Sequence, residues 1–92
     1  MYFEEFMATR ALTDDDAQDL ADVAARFTSR ITVTSNGRSV HAPVLPTCWD
    51  VLAVRPGSVV AVTAEAGHHP PDTEDRRAIR AFVSRFRETA QR

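Results

Sequence analysis

The side chains in this 92-residue chain best suited to chemistry are three histidines, one cysteine, a run of three aspartates and a group of arginines near the C-terminus. His68 and His69 lie in Gly67-His68-His69-Pro70-Pro71-Asp72, where an imidazole pair beside a carboxylate could accept a phosphoryl group or bind a metal. Adjacent side chains point apart in an extended chain, and a stable metal site needs three or four converging ligands. A solvated loop is therefore the expectation, with no metal and no other cofactor. His41 is expected on the exposed face of a sheet, together with Thr32 and Thr34. Cys48, next to Trp49, has no base that the sequence identifies and reads as small apolar packing. Thr13 stands before Asp14, Asp15 and Asp16, and a hydroxyl without an adjacent base is a poor nucleophile. No catalytic site emerges, and the chain is not expected to be an enzyme.

The arginines raise nucleic-acid binding as a further chemistry, because Arg76, Arg77, Arg80 and Arg87 spread over the outer face of a C-terminal helix. A formal net charge of −2 and the lack of interleaved aromatics on that face argue for a solvated surface instead. The charge is polarised along the chain. Residues 1 to 25 hold seven acids against Arg10 alone, whereas residues 72 to 92 hold six arginines against four acids. An acidic first helix and a basic last helix follow. All eleven basic residues are arginine. A single cysteine cannot form an internal disulfide, and Glu4 and Glu5 stand where a secretory signal would be basic, so a cytoplasmic location is expected. No apolar run approaches the roughly 20 residues of a membrane-spanning helix.

The elements that position these residues are legible from periodicity. With 43% apolar and 26% charged residues, the chain should form one domain over residues 1–92, with a modest core. Tyr2 to Ala8 reads as an edge strand. Thr13-x-x-Asp16 has the spacing of a helix cap, and Ala17, Leu20, Ala21, Ala24 and Phe27 make one apolar stripe behind it. Ile31 to Thr34 alternates, Ser35-Asn36-Gly37 signals a hairpin, and Arg38 to Ala42 returns. A short second helix is expected over Thr47 to Val54. Ser58 to Ala64 is the most strand-prone run, its Val59, Val60 and Val62 suiting burial on both faces. A last helix should start near Thr73 or Glu74, with Ala78, Ile79, Phe82, Val83 and Phe86 inward. The order is β-α-β-β-α-β-α.

That order, with Phe27-Thr28-Ser29-Arg30-Ile31-Thr32-Val33-Thr34-Ser35-Asn36-Gly37-Arg38, Pro56-Gly57-Ser58-Val59-Val60 and Thr63-Ala64-Glu65, resembles the HPr family, the histidine phosphocarriers of the sugar phosphotransferase system. The resemblance runs from about Ala11 to Ala90. It implies an α+β open-faced sandwich, a four-stranded antiparallel sheet covered on one side by three helices. It also implies a phosphoryl-accepting histidine before the first helix, within Gly-Leu-His-x-Arg-Pro, held at the helix amides. Here that stretch reads Ala11-Leu12-Thr13-Asp14-Asp15-Asp16, with Thr13 in the histidine's place, Asp15 in the arginine's and Asp16 in the proline's. Val44 stands where the family's regulatory serine would be. Three carboxylates at the helix start would repel an incoming dianion by about 1 kcal/mol per pair at 4 Å even in water.

The implied function is that of a degenerate HPr-like module that binds another protein, an enzyme or a regulator, with neither nucleic acid nor membrane as partner. The alternative is a phosphocarrier with a relocated acceptor, His68 or His69. In the family, the faces of the first two helices dock enzyme I and other partners. Val44, Leu45 and Trp49 would form an apolar patch there, rimmed by Asp14, Asp15 and Asp19, unless Leu45 and Trp49 belong to the core.

Overall fold

Successive side chains of a strand point to opposite faces, and four such segments build a sheet with one dry and one wet face. In a computed structural model, which describes residues 1–68 and 70–90, the strands are β1 (Tyr2–Met7), β2 (Arg30–Ser35), β3 (Arg38–His41) and β4 (Val59–Glu65). All pairs are antiparallel, in the order β1-β4-β2-β3. Helices α1 (Asp14–Ala24), α2 (Leu45–Cys48) and α3 (Pro71–Ala90) cover one side. Ile31, Val33, Val60, Val62 and Ala64 face them and are buried. Val59 is 49% exposed, so β4 is buried on one face, not both. The physical reason is that all three helices pack on the same side and leave the other to solvent.

α1 starts at Thr13 with a full capping box, the Thr13 hydroxyl accepting from the Asp16 amide and the Asp16 carboxylate accepting from the Thr13 amide. Its buried stripe includes Ala17, Leu20, Ala21 and Ala24. The helix ends at Ala24, so Phe27 lies beyond it, half-buried against the core. Asn36 and Gly37 both take positive φ, 53° and 77°, as a two-residue hairpin turn requires. The Asn36 side chain then donates to the carbonyls of Leu52 and Ala53 at 2.8 and 2.9 Å, tying the hairpin tip to the segment after α2. That segment is more broken than expected. A 3-10 turn over Ala42–Val44 leads into α2, and another over Trp49–Leu52 follows it. The helical run therefore begins before Thr47, because Pro43 and Pro46 fit the first turns of such short helices.

α3 begins at Pro71, two or three residues earlier than its acidic residues suggested. Its first turns carry a feature that periodicity does not announce. Glu74 and Asp75 are buried, 4% and 2% exposed. Glu74 accepts from the Thr28 amide at 2.7 Å, from the Thr28 hydroxyl and from the His68 amide at 2.8 Å. Asp75 accepts from the Ser29 hydroxyl at 2.6 Å and the Gly67 amide at 2.9 Å. Two carboxylates thus join the loop after α1 to the loop after β4. Gly67 is glycine because a Cβ there would lie 2.7 Å from both Asp75 Oδ1 and Ser29 Oγ.

Gly67→Ala is expected to cost about 1–3 kcal/mol by prising this clamp open, and Glu74→Ala about 2–4 kcal/mol by stranding its donors. Arg77→Ala on the solvent face should stay within about 0.5 kcal/mol. Urea denaturation of the three variants checks the ranking.

Candidate functional site

The site expected from sequence lies where β1 hands over to α1. Thr13 is exposed, but its hydroxyl oxygen accepts from the Asp16 amide at 3.2 Å. The Asp16 carboxylate returns the bond, accepting from the Thr13 amide at 3.1 Å. Asp16 is 8% exposed and is bound from upstream by Arg10, whose Nη2 lies 3.0 Å from Oδ2 and 3.1 Å from Oδ1. A second Arg10 nitrogen donates to the Ala11 carbonyl at 3.1 Å. The helix start therefore holds its own internal anion, already neutralised by a guanidinium. Arg10 is a residue that sequence reasoning passed over. It falls outside any cap spacing, and only the bend between β1 and α1 brings it back.

Of the three aspartates, Asp14 and Asp15 remain exposed, with no ion pair among the described residues. Asp19, expected on the rim of the patch by α2, is engaged by α3: it accepts from Arg85, with Nε and Nη2 both 2.9 Å from Oδ2. That bond and the facing charge raise the Arg85 guanidinium above its ordinary value. The apolar patch also changes composition. Leu45 is fully buried and belongs to the core, because α2 turns it under α1. Trp49 is half-buried against that core, and Val44 and Val51 are 47% and 44% exposed. Cys48 is a half-buried free thiol.

The histidines lie elsewhere. His41 is exposed at the end of β3, directly opposite Thr32. His68 is exposed, its amide donating to Thr28 Oγ1 at 2.9 Å as well as to Glu74. His69 lies outside the described residues. Antiparallel register fixes the separation of His68 from Thr13. Met7, which leads to α1, pairs with Val59, whereas Glu65, which leads to His68, pairs with Arg30 at the other end of β4. The two sites sit at opposite ends of the sheet. Among the described residues, no three His, Cys, Asp or Glu side chains converge to hold a metal, and no helix is long and apolar enough to cross a membrane.

Solved structures share this fold. The histidine-containing phosphocarrier protein of a Mycoplasma superposes with a TM-score of 0.80 at 20% identity, covering 97% of this chain and 96% of that one. The fold is the HPr fold. HPr-C-His from Thermoanaerobacter tengcongensis has a TM-score of 0.70 at 24% identity, with 91% and 89% of the two chains covered. The phosphocarrier protein HPr of Bacillus anthracis has a TM-score of 0.70 at 19% identity, with 91% and 94% covered. No protein-family model matches the chain, and no curated protein matches it. At these identities the likeness is one of fold, and within the HPr fold the start of α1 here is built from acids and Arg10.

Thr13→Ala and Asp16→Ala should each cost about 1 kcal/mol through loss of the cap. Arg10→Ala should cost about as much, and a double-mutant cycle with Asp16→Ala should show a coupling of about 1 kcal/mol. Asp14→Ala should be near neutral. Thermal and chemical unfolding of the set checks these values.

Proposed function

We propose that this HPr-fold protein is a protein-binding module, regulatory or accessory to an enzyme, that does not carry phosphoryl groups. One observation carries the reading: the helix start that would hold a phosphohistidine in an HPr-type carrier is occupied by the Asp16 carboxylate, locked by Arg10 and by Thr13. The Thr13 hydroxyl is committed to the cap, and exposed Asp14 and Asp15 add two charges of the wrong sign for a dianion. Val44 offers no hydroxyl at the second position where the family resemblance would set a regulatory serine. The docking face in this reading is the α1–α2 surface, taking in exposed Asp14, Asp15 and Val44 and half-buried Trp49, with Leu45 buried in the core beneath. The partner is a protein with a basic or mixed patch, met in a cytoplasm that keeps Cys48 reduced.

The second reading keeps phosphoryl transfer and moves it to His68 or His69. What favours it is that His68 is exposed on a backbone held by two hydrogen bonds. Against it stands the location of His68, at the end of the sheet away from the start of α1, where an enzyme docked at the usual helix start would not reach.

Incubation with phosphoenolpyruvate and an enzyme I, followed by intact-mass measurement, separates the two readings. The expected result is no added phosphate on the wild type. Phosphate lost again in His68→Ala or His69→Ala would establish the carrier reading instead. Thr13→His alone should also stay unmodified, because Asp15 and Asp16 still surround the ring, while the variant that adds Asp15→Arg and Asp16→Pro should accept phosphate. Binding of a native partner should weaken from low to physiological salt, where exposed charges more than about 8 Å apart are screened. Asp14→Lys with Asp15→Lys should slow association, and Trp49→Ala should speed dissociation, as read by surface plasmon resonance.

A further inference from the structure

β1 is an edge strand that pairs with β4 on one side only. In an antiparallel pair, the backbone groups of alternate residues point toward the partner strand and the others point away. Ala8, just past β1, donates to the Ser58 carbonyl at 2.9 Å and accepts from the Gly57 amide at 2.8 Å. Counting back, Phe6, Glu4 and Tyr2 turn their backbone groups to β4, and Phe3 and Glu5 turn theirs to the open edge. The other edge of the sheet is different. β3 has four residues and packs against the Trp49–Leu52 turn. Six residues of β1 thus form the more available template for another strand.

Both faces of this edge carry distinctive side chains. On the helix side, a cleft of about 590 Å³ runs between β1 and α3, floored by Ile79 and Val83 and walled by Glu4, Arg80, Ser84 and Arg87. Arg80 shows no hydrogen bond or ion pair among the described residues, and Arg87 meets only the Phe6 ring, 5.5 Å from its centroid. Glu88 at the cleft's end is held by Arg85 at 3.6 Å. Two guanidinium groups therefore face one uncommitted carboxylate, Glu4. On the open side of the sheet, Phe3 and Met7 are 59% and 58% exposed, and Val59 continues the patch opposite Met7.

The dimensions match an added strand. Arg76 lies over the Tyr2 ring and Arg87 over the Phe6 ring, so α3 runs alongside β1 in the same direction. Arg80 and Arg87 are about 10 Å apart along the helix, and positions opposite Tyr2 and Phe6 on a neighbouring strand are about 13 Å apart. An acid opposite Phe6 then lies beside Arg87 and one opposite Tyr2 lies within a helical turn of Arg80, while a small residue between them avoids Glu4. A second copy of this chain fits poorly. The two fullest face-matched pairings of β1 with itself put either Glu4 or Glu5 directly opposite its own copy.

We propose that β1 and the α3 cleft form a strand-addition site for an extended segment of a partner protein. The segment presents acids to Arg80 and Arg87 on one face and apolar side chains to Phe3 and Met7 on the other. This surface lies at the edge of the sheet remote from α2 and does not depend on how the α1–α2 face is used.

The probe is a fluorescent, end-blocked hexapeptide, Asp-Val-Ser-Val-Asp-Val, titrated by anisotropy against the full chain while amide exchange is followed by NMR. Saturable binding is expected, with slowed exchange at the Phe3 and Glu5 amides. Affinity should fall at least tenfold in the folded Arg80→Gln/Arg87→Gln variant, and should be lost when every second peptide amide is N-methylated in the phase that faces β1. The Asp14→Lys/Asp15→Lys variant should bind the peptide as the wild type does, which separates this site from the other face. Several results would overturn the proposal: no saturable binding up to millimolar peptide, equal binding of peptides methylated in either phase, or equal binding with lysine in place of aspartate. A free protein that sediments as a dimer with protected β1 amides would assign the edge to a second copy and overturn it as well.

Discussion

Two buried carboxylates, Glu74 and Asp75, hold one end of this molecule together, and the position of α3 follows from them. Each accepts charge-assisted hydrogen bonds from two loops far apart in sequence, the Thr28–Ser29 stretch and the Gly67–His68 stretch. A buried carboxylate with unfilled lone pairs is costly, so the geometry tolerates little drift. No buried side-chain nitrogen or oxygen among the described residues is left without a partner. The clamp sets the start of α3 over the end of β4. From there, Phe82 and Phe86 are carried into the core, where Phe86 meets Phe6 at 5.1 Å between ring centroids. The groove between α3 and β1 is a consequence of that placement.

Electrostatics then divides the surface. The chain begins acidic and ends basic, and the two ends meet where Arg85 holds Asp19 at the α1–α3 seam. Arg10 holds Asp16 at the start of α1. The charges with no ion pair among the described residues include Asp14 and Asp15 at the start of α1 and Arg80 and Arg87 on α3. A partner of one sign would be steered to one face and repelled from the other. The exposed pairs contribute little stability themselves.

A chain this short can cover only one side of its sheet, and the uncovered side is where its apolar surface is left. Phe3, Met7 and Val59 remain in solvent because the three helices are all spent on the other face. The same shortage explains why the second helical segment is broken into turns. Between Pro43 and Leu52 the chain has just enough length to bury Leu45 and Leu52 under α1 and along β3 before β4 must begin.

Local chemistry was enough to read much of this from the residues alone. Thr13 with Asp16 marks a helix start because the cap bonds span only three residues. Asn36-Gly37 marks a hairpin because few residue pairs accept positive φ. The α3 stripe from Ala78 to Phe86 repeats at helical spacing, and the order of the elements is that of the HPr fold. What escaped such reading depends on which parts of the chain meet. Whether Val59 is dry depends on where three helices pack, and whether Leu45 is surface or core depends on the turn of a four-residue helix. Arg10 reaches Asp16 only across a bend, Asp19 finds Arg85 across 66 positions, and Glu74 finds Thr28 across 46. Periodicity encodes how a segment presents its faces to its own axis. The partner on the other side of each face is chosen by packing, and in this protein that choice decided which charges were paired and which remained exposed.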